Sequence, residues 1–311
     1  VIPIFRKELA DHLMSRRFLI LFTLVLLTAI FATYVATQTL RKTVSENTEF
    51  VFLTVFTTSG ERLPSFVFFL SLFIPIISIA LGFDAINSER TSGNLSRLLS
   101  QPIYRDAVIN GKFLAGLAVI AIIVISVIAI VSGLGLRIVG VPPDWEEVFR
   151  LLVFALVTVI YGAFWLALST LFSILFKSSV TSMLASFGLW VFFFFFMSMI
   201  AGAVANALVP VDQSATVATL ARNVELQGAI ARISPRTLYE EAAISLLVPE
   251  IGSLNLVLMM AAIAGGRMVT PLPLVQSLLL IWPQIVAMIA LAAICFAVSY
   301  IKFMKEEIRA F

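Results

Sequence analysis

The stretch "INSERTSGNLSRLLSQP", residues 86–102, decides how this chain folds. Before it runs "PSFVFFLSLFIPIISIALGF" (64–83), and after it "VINGKFLAGLAVIAIIVISVIAIV" (108–131). As a helix, each flank is long enough to cross the hydrocarbon, which takes about 20 apolar residues. A plain connector between two such helices needs only a few polar residues, and this one has far more. The helix before it is predicted to continue past Asp84 to about Arg90 and to break at Ser92-Gly93. Asn94 is a good N-cap. Leu95, Leu98 and Leu99 then share one face, with Ser96, Arg97 and Ser100 off it, and Pro102 closes the element. The next helix restarts near Tyr104, Arg105 and Asp106. Leucines presented away from a membrane bundle need lipid or a partner surface. The short helix either lies on the headgroups or seats in a groove of a cytoplasmic protein.

Working outward, composition sets the class. The chain has 311 residues, 60% hydrophobic and 13% charged, with 27 phenylalanines. Soluble domains run about 45–50% apolar and about 25% charged, so this composition is that of an integral membrane protein. Six segments qualify as spans: 18–40, 64–84, 108–134, 148–176, 180–207 and 278–301. Lys and Arg set the orientation. With the N-terminus inside, Arg6, Lys7, Arg16, Arg17, Arg90, Arg97, Arg105, Lys112, Lys177, Lys302, Lys305 and Arg309 fall in short cytoplasmic stretches, 12 of the 21 basic residues. The rest are spread over much longer outer stretches, so both termini are placed in the cytoplasm. The same bias accounts for the net charge of +3 without nucleic acid. The charged start leads into a run too long for a signal-peptide core, so no cleavable signal is read here.

The remaining segments are read the same way. In "VIPIFRKELADHLMSRR" (1–17), Ile2, Phe5, Leu9 and Leu13 form a stripe with Arg6, Lys7, Asp11 and Ser15 off it. This is an amphipathic interfacial helix, or more plainly a basic anchor. Asp144 and Glu147 form a capping pair at the start of the fourth span. Residues 208–277, about 70 in all, are expected outside as helices, being too long for a bare loop. Within them Val217, Leu220 and Val224 have helical spacing, and Thr237-x-x-Glu240 reads as a capping box after Ser234-Pro235. "IGSLNLVLMMAAIAG" (251–265) has the length of a re-entrant element. A seventh span over about 244–264 is the alternative, and it would export the basic C-terminus.

Glu89, Gly93, Leu95, Leu98, Leu99, Pro102, Arg105, Gly111 and Lys112 together give E-x-x-x-G-x-L-x-x-L-L-x-x-P-x-x-R-x-x-x-x-x-G-K. This pattern resembles the cytoplasmic signature of the type-2 ABC exporter permeases, the membrane subunits of ATP-binding-cassette transporters. "RKELADHLMSRRF" is similar to the family's interfacial helix before the first span, and "SPRTLY" to its region before the last. "FDAI" (83–86) resembles the subgroup of the nitrous oxide reductase maturation permease. The sequence departs from that subgroup in Asn94, where Thr is usual, and in a longer external region. The resemblance implies a single all-α permease domain over 1–311, with an interfacial helix (1–17), a cytoplasmic coupling region (84–107) and an extracytoplasmic helical region (208–277). It implies two permease copies with two cytoplasmic ATPase subunits in a cell membrane. Glu89, Gly93, Leu95, Leu98, Leu99, Pro102 and Arg105 would couple to the ATPase, and Phe5, Leu9 and Leu13 would hold the interfacial helix.

The chemistry agrees with a transport subunit that is not itself an enzyme. No G-x-x-x-x-G-K-[ST] occurs, and "NGKF" lacks both the upstream glycine and the magnesium-holding hydroxyl. ATP and magnesium are therefore expected on a partner, with no cofactor on this chain. The spans carry almost no ionisable residue away from their ends, unlike ion-coupled carriers. One histidine, His12, and one cysteine, Cys295, give no metal ligand set. Met259, Met260 and Met268 read as gap-filling methionines before Cu(I) ligands. Glu89 reads as a solvated helix-end acid or a salt-bridge partner. "VFFFFFM" (191–197) reads first as packing or lipid contact, while Ala201, Gly202 and Ala205 suit close helix contact. If spans 2 and 5 line a path, an assignment from the resemblance, then Phe69, Phe73, Phe187, Trp190, Phe193 and Phe194 line it. A hydrophilic solute there would lose its hydration unreplaced. A hydrophobic or amphipathic cargo is the expectation, with a sulfur- or copper-related cargo or a non-transporting scaffold as alternatives.

Overall fold

The computed structural model describes residues 1–43, 50–58, 64–91, 104–140, 142–211, 216–249 and 272–305. All regular structure among them is helical. The elements are α1 (Ile2–Leu13), α2 (Arg16–Thr43), α3 (Val51–Thr57), α4 (Phe66–Gly82), α5 (Asn87–Thr91), α6 (Arg105–Val139), α7 (Trp145–Leu175), α8 (Ser179–Val191), a π-helical turn (Phe192–Phe196), α9 (Met197–Leu208), α10 (Val217–Ala231), α11 (Pro235–Leu247) and α12 (Leu274–Lys305). Six helical stretches among the described residues are long and apolar enough to cross a membrane: Arg16–Leu40, Phe66–Thr91, Arg105–Ile138, Trp145–Leu175, Ser179–Leu208 and Leu274–Lys305. The chain is thus an all-α multi-pass membrane protein, and the six runs read from the sequence are its spans.

Helix α7 is the axis of the bundle. It packs against α4, α6, α8, α11 and α12, and Phe154, Val157, Tyr161 and Trp165 on it are fully buried. Its start is set as the sequence predicts, the Asp144 N–H donating to the Glu147 carboxylate at 2.9 Å. Lipid tails are as apolar as leucine, so helices close on each other through tight packing and not through water exclusion. Small residues supply the contacts. A Cβ on Gly82 would collide with the Ser169 hydroxyl oxygen, and one on Gly162 would lie 2.8 Å from Ile120. Spans 1, 5 and 6 lie at the periphery, with Ile20, Leu27, Leu184, Met199, Leu279 and Ile294 exposed to what would be lipid.

One expectation is corrected here. Ile2 does not share the packed stripe of α1: it is 66% exposed, and Ile4, Phe5, Glu8 and His12 face α6 instead. The helix expected from Val217, Leu220 and Val224 forms as α10; Val217 and Leu220 on it are exposed, and its buried residue is Asn223, which donates to the Asn206 side chain (2.9 Å) and the Val209 carbonyl (2.7 Å). The helix-contact reading of Ala201 and Ala205 holds, since both are fully buried and α9 packs against α10. Helix α11, within the stretch expected as extracytoplasmic helices, packs among α4, α7 and α12, with Leu238, Tyr239, Ala242, Ala243 and Leu246 buried. Tyr239 stacks on Tyr161 with centroids 4.5 Å apart and planes 10° apart. Tyr161 lies 16 residues into α7, about 24 Å along it at 1.5 Å per residue, so α11 reaches roughly the middle of the span.

Candidate functional site

At the end of the bundle where α1 lies, four separate stretches of chain meet. Ile86, Val108, Ile109, Ile174 and Phe303 are buried together, with Ile4 packed against them. α1 can lie this close to α6 because Gly111 has no side chain, and a Cβ there would come within 2.9 Å of Ile4. The next residue, Lys112, is 8% exposed, and its ammonium sits 3.0 Å from Glu8 and 2.8 Å from Glu89. One cation on α6 thereby joins α1 to α5, the element leading into residues 92–103. An ammonium offers three donors on a flexible stem, which suits two carboxylates arriving from different directions. Glu89 is therefore not a solvated helix-end acid: its side chain is 13% exposed and is held inside the protein.

The "FDAI" turn is fixed from two sides. Ser173 on α7 accepts the Ile86 and Asn87 N–H groups through its hydroxyl, at 3.1 and 3.3 Å. Asp84 receives Arg17 at 2.6 Å, and Arg17 also lies over the Phe83 ring. The elbow between α1 and α2 is tied by Ser15, which donates to the His12 carbonyl (2.8 Å) and accepts the Phe18 N–H (3.1 Å). Burial pushes the His12 imidazole below its usual pKa, against the opposing pull of Glu8, Asp84 and Asp11. Phe5, Leu9 and Leu13 are partly buried, and Leu9 and Leu13 pack on the main core. Arg105 opens α6 and is half-buried. Gly93, Leu95, Leu98, Leu99 and Pro102 lie outside the described residues, as do the three methionines 259, 260 and 268.

A second constellation surrounds the phenylalanine run. Residues 192–196 form a π-helical turn inside span 5. Such turns break the regular i→i−4 ladder and are frequent at functional sites. Arg236 of α11 donates to the Phe194 carbonyl at 2.6 Å, and its guanidinium lies 3.9 Å from the Phe194 ring centroid. It also pairs with Glu240 at 2.8 Å, which in turn accepts the Ser71 hydroxyl at 3.0 Å. The anticipated Thr237/Glu240 capping box does not form. Ser234 is the N-cap with Pro235 following it, and Glu240 is spent on Arg236 and Ser71. The sequence reading placed almost no charge within the spans, and α11 carries this ion pair in among them. Around it, Trp190 packs between Phe187 (4.9 Å) and Phe194 (5.3 Å), Phe69 stacks on Phe73 (6.3 Å), and Phe193 lies edge-on to Trp165. Trp190 and Phe194 are each 4% exposed, inside the chain, whereas Phe187, Phe192, Phe195 and Phe196 are exposed.

A third group was not singled out from the sequence. Arg150 on α7 is fully buried and donates to the Leu246 carbonyl, the Leu272 carbonyl and the Ser277 hydroxyl, besides pairing with Glu146 at 2.7 Å. Glu146 accepts the Leu274 N–H at 3.0 Å, a carboxylate on the orphan donors of a helix N-terminus. The Glu146–Arg150 pair thus staples the end of α11 to the start of α12. Its only sequence signal is the i,i+4 spacing of opposite charges.

Against known proteins, residues 2–308 match the family model described as ABC-2 family transporter protein. No curated protein matches the chain.

Proposed function

The chain belongs to the ABC-2 family of transporter proteins, as a membrane permease of an ABC transporter, and we propose that it exports a hydrophobic or amphipathic cargo with ATP hydrolysed by a separate cytoplasmic subunit. Two copies would pair with two ATPases in the cell membrane, with both termini and residues 84–107 on the ATPase side. The observation that carries this reading is the Lys112 contact to Glu8 and Glu89. It ties α5, the element that precedes residues 92–103 in the chain, to both α1 and span 3, as force transmission from an ATPase docked on Leu95, Leu98 and Leu99 would require. The cargo class rests on span 5, whose exposed face offers Phe187, Phe192, Phe195 and Phe196. The Arg236–Glu240 pair beside that run offers a polar foothold in the same region, which favours amphiphiles over plain hydrocarbons.

The test begins with native purification and mass spectrometry for a co-eluting ATPase. Stimulation of the reconstituted complex is then measured with amphiphiles against small polar solutes. Stimulation by amphiphiles is expected. Stimulation by the polar set alone, with Phe187→Ala and Phe195→Ala on the exposed face without effect, would reject the hydrophobic path and favour a small sulfur- or copper-related cargo. If no ATPase co-elutes, a scaffold role replaces transport. Leu98→Asp, which puts a charge into a desolvated contact, is expected to abolish both ATPase co-purification and transport while the chain still inserts.

A further inference from the structure

A cleft of about 370 Å³ opens at the elbow where α1 turns into α2. Its two halves differ in chemistry. The mouth carries Asp11, Arg16 and the Arg17–Asp84 pair, and the wall behind it is built of Phe18, Leu21, Ile77 and Ala80. The mouth lies where span 1 begins and where span 2 meets the turn at 83–86, the level of lipid headgroups. The wall descends from there along span 1. Water does not suit the deep part, because an ordered water needs two to four polar partners and this wall offers none.

The charges at the mouth narrow the occupant further. Arg17 is spent on Asp84 at 2.6 Å. Arg16 is exposed and makes no ion pair among the described residues. Asp11 reaches only Lys7, loosely, at 3.7 Å. One guanidinium and one carboxylate therefore face the opening on opposite sides of the elbow. A guanidinium fork matches a phosphate. A carboxylate beside it matches a primary ammonium a few bonds away and disfavours a headgroup of pure negative charge. We propose that this cleft binds an aminophospholipid from the leaflet on whose side α1 lies. Its phosphate rests on Arg16, its ammonium faces Asp11, and an acyl chain runs along Phe18, Leu21 and Ile77. The site is separate from the cargo path and does not depend on what the protein transports.

Native mass spectrometry of the purified permease, titrated with phosphatidylethanolamine, phosphatidylcholine and phosphatidylglycerol of one acyl composition, tests it. Phosphatidylethanolamine is expected to bind at least about fivefold tighter than the other two, and Arg16→Ala to weaken it about tenfold, the loss of one charge-assisted contact. Asp11→Asn is expected to erase the preference over phosphatidylcholine. Ala80→Phe fills the wall and is expected to block binding, while Arg6→Ala on the exposed side of α1 leaves it unchanged. Free glycerophosphoethanolamine is expected not to compete, since it lacks the acyl chain. Equal binding of the three lipids, a preference for phosphatidylglycerol, competition by the free headgroup, or unchanged binding in Arg16→Ala would each overturn the assignment. Arg16 is on the surface, so its variant decides the matter even if Ala80→Phe fails to fold.

Discussion

The two ends of the bundle are both fastened by buried cations, but in opposite ways. At the α1 end, Lys112 gathers two carboxylates from elements far apart in sequence, Glu8 and Glu89. At the other end, Arg150, and further along α11 the partly buried Arg236, reach for backbone carbonyls: those of Leu246 and Leu272, and that of Phe194 within the π turn. The difference follows from what each end must hold. Carbonyls freed at helix ends and in an irregular turn are fixed acceptors in an apolar setting, and a planar guanidinium satisfies several at once. A joint between whole helices has no orphan carbonyls to offer, so it is made from side chains. Side-chain joints can be broken and remade without unwinding a helix, which suits the end proposed to meet the ATPase.

The comparison breaks most visibly at Arg150. Arg150→Met leaves the Leu246 and Leu272 carbonyls and Glu146 without their cation, and is expected to cost about 3–5 kcal/mol. Thermal unfolding of the purified protein should drop by roughly 10 °C on that basis, and a drop of a degree or two would mean the staple is not structural. Lys112→Met is the matching experiment at the other end. It leaves two carboxylates, each little more than a tenth exposed, facing each other, and about 2–3 kcal/mol is expected because the solvent that reaches them relieves part of the repulsion. Adding Glu8→Gln to Lys112→Met should recover at least about 1 kcal/mol, the sign of a coupled pair. Strict additivity of the two substitutions would show that Glu8 and Lys112 do not interact.

These fastenings mark the limit of what the sequence discloses. The spans were legible because a membrane demands about 20 apolar residues in a row, and the fourth, expected at 148–176, is Trp145–Leu175. Gly111 and Lys112 were legible as parts of a motif, but Glu8 was not, since one acid on an amphipathic helix gives no sign of facing inward. The inward partners of helix α11 were hidden for a related reason. "PRTLYEEAAISLL" has charges enough to read as an external helix, and only the fold supplies Ser71, 169 residues away from Glu240, and the Phe194 carbonyl to satisfy them. Long-range partners of buried charges leave no local pattern.

Arg236 sharpens the comparison by testing what a carbonyl-directed cation does for dynamics. Arg236→Gln removes the charge-assisted bond to Phe194 and the Glu240 pair, at an expected cost of about 1–2 kcal/mol given its partial exposure. The loss should be local. Amide hydrogen exchange is expected to rise in a peptide covering 187–200 and to stay unchanged across 105–120. If 187–200 is equally protected in the variant, the π turn is held by the stacking of Trp190 and Phe194 and not by the arginine.

The smallest effect belongs to His12, the only histidine in the chain. It sits on the inward side of α1, where burial lowers its pKa, with Lys112 helping and Glu8, Asp84 and Asp11 opposing. A base whose folded pKa lies below its unfolded one binds fewer protons when folded, so stability rises with pH across that interval. The contribution is complete above the unfolded value near 6.5 and fades as pH falls towards the depressed folded value. Wild-type protein is therefore expected to lose slightly more thermal stability between pH 7.5 and 5.5 than His12→Gln does, with the difference confined to that window. All other groups are common to both proteins and cancel in the comparison. A variant that loses more on acidification than wild type would mean that the imidazolium is stabilised by Glu8, Asp84 and Asp11, and that the joint tightens in acid.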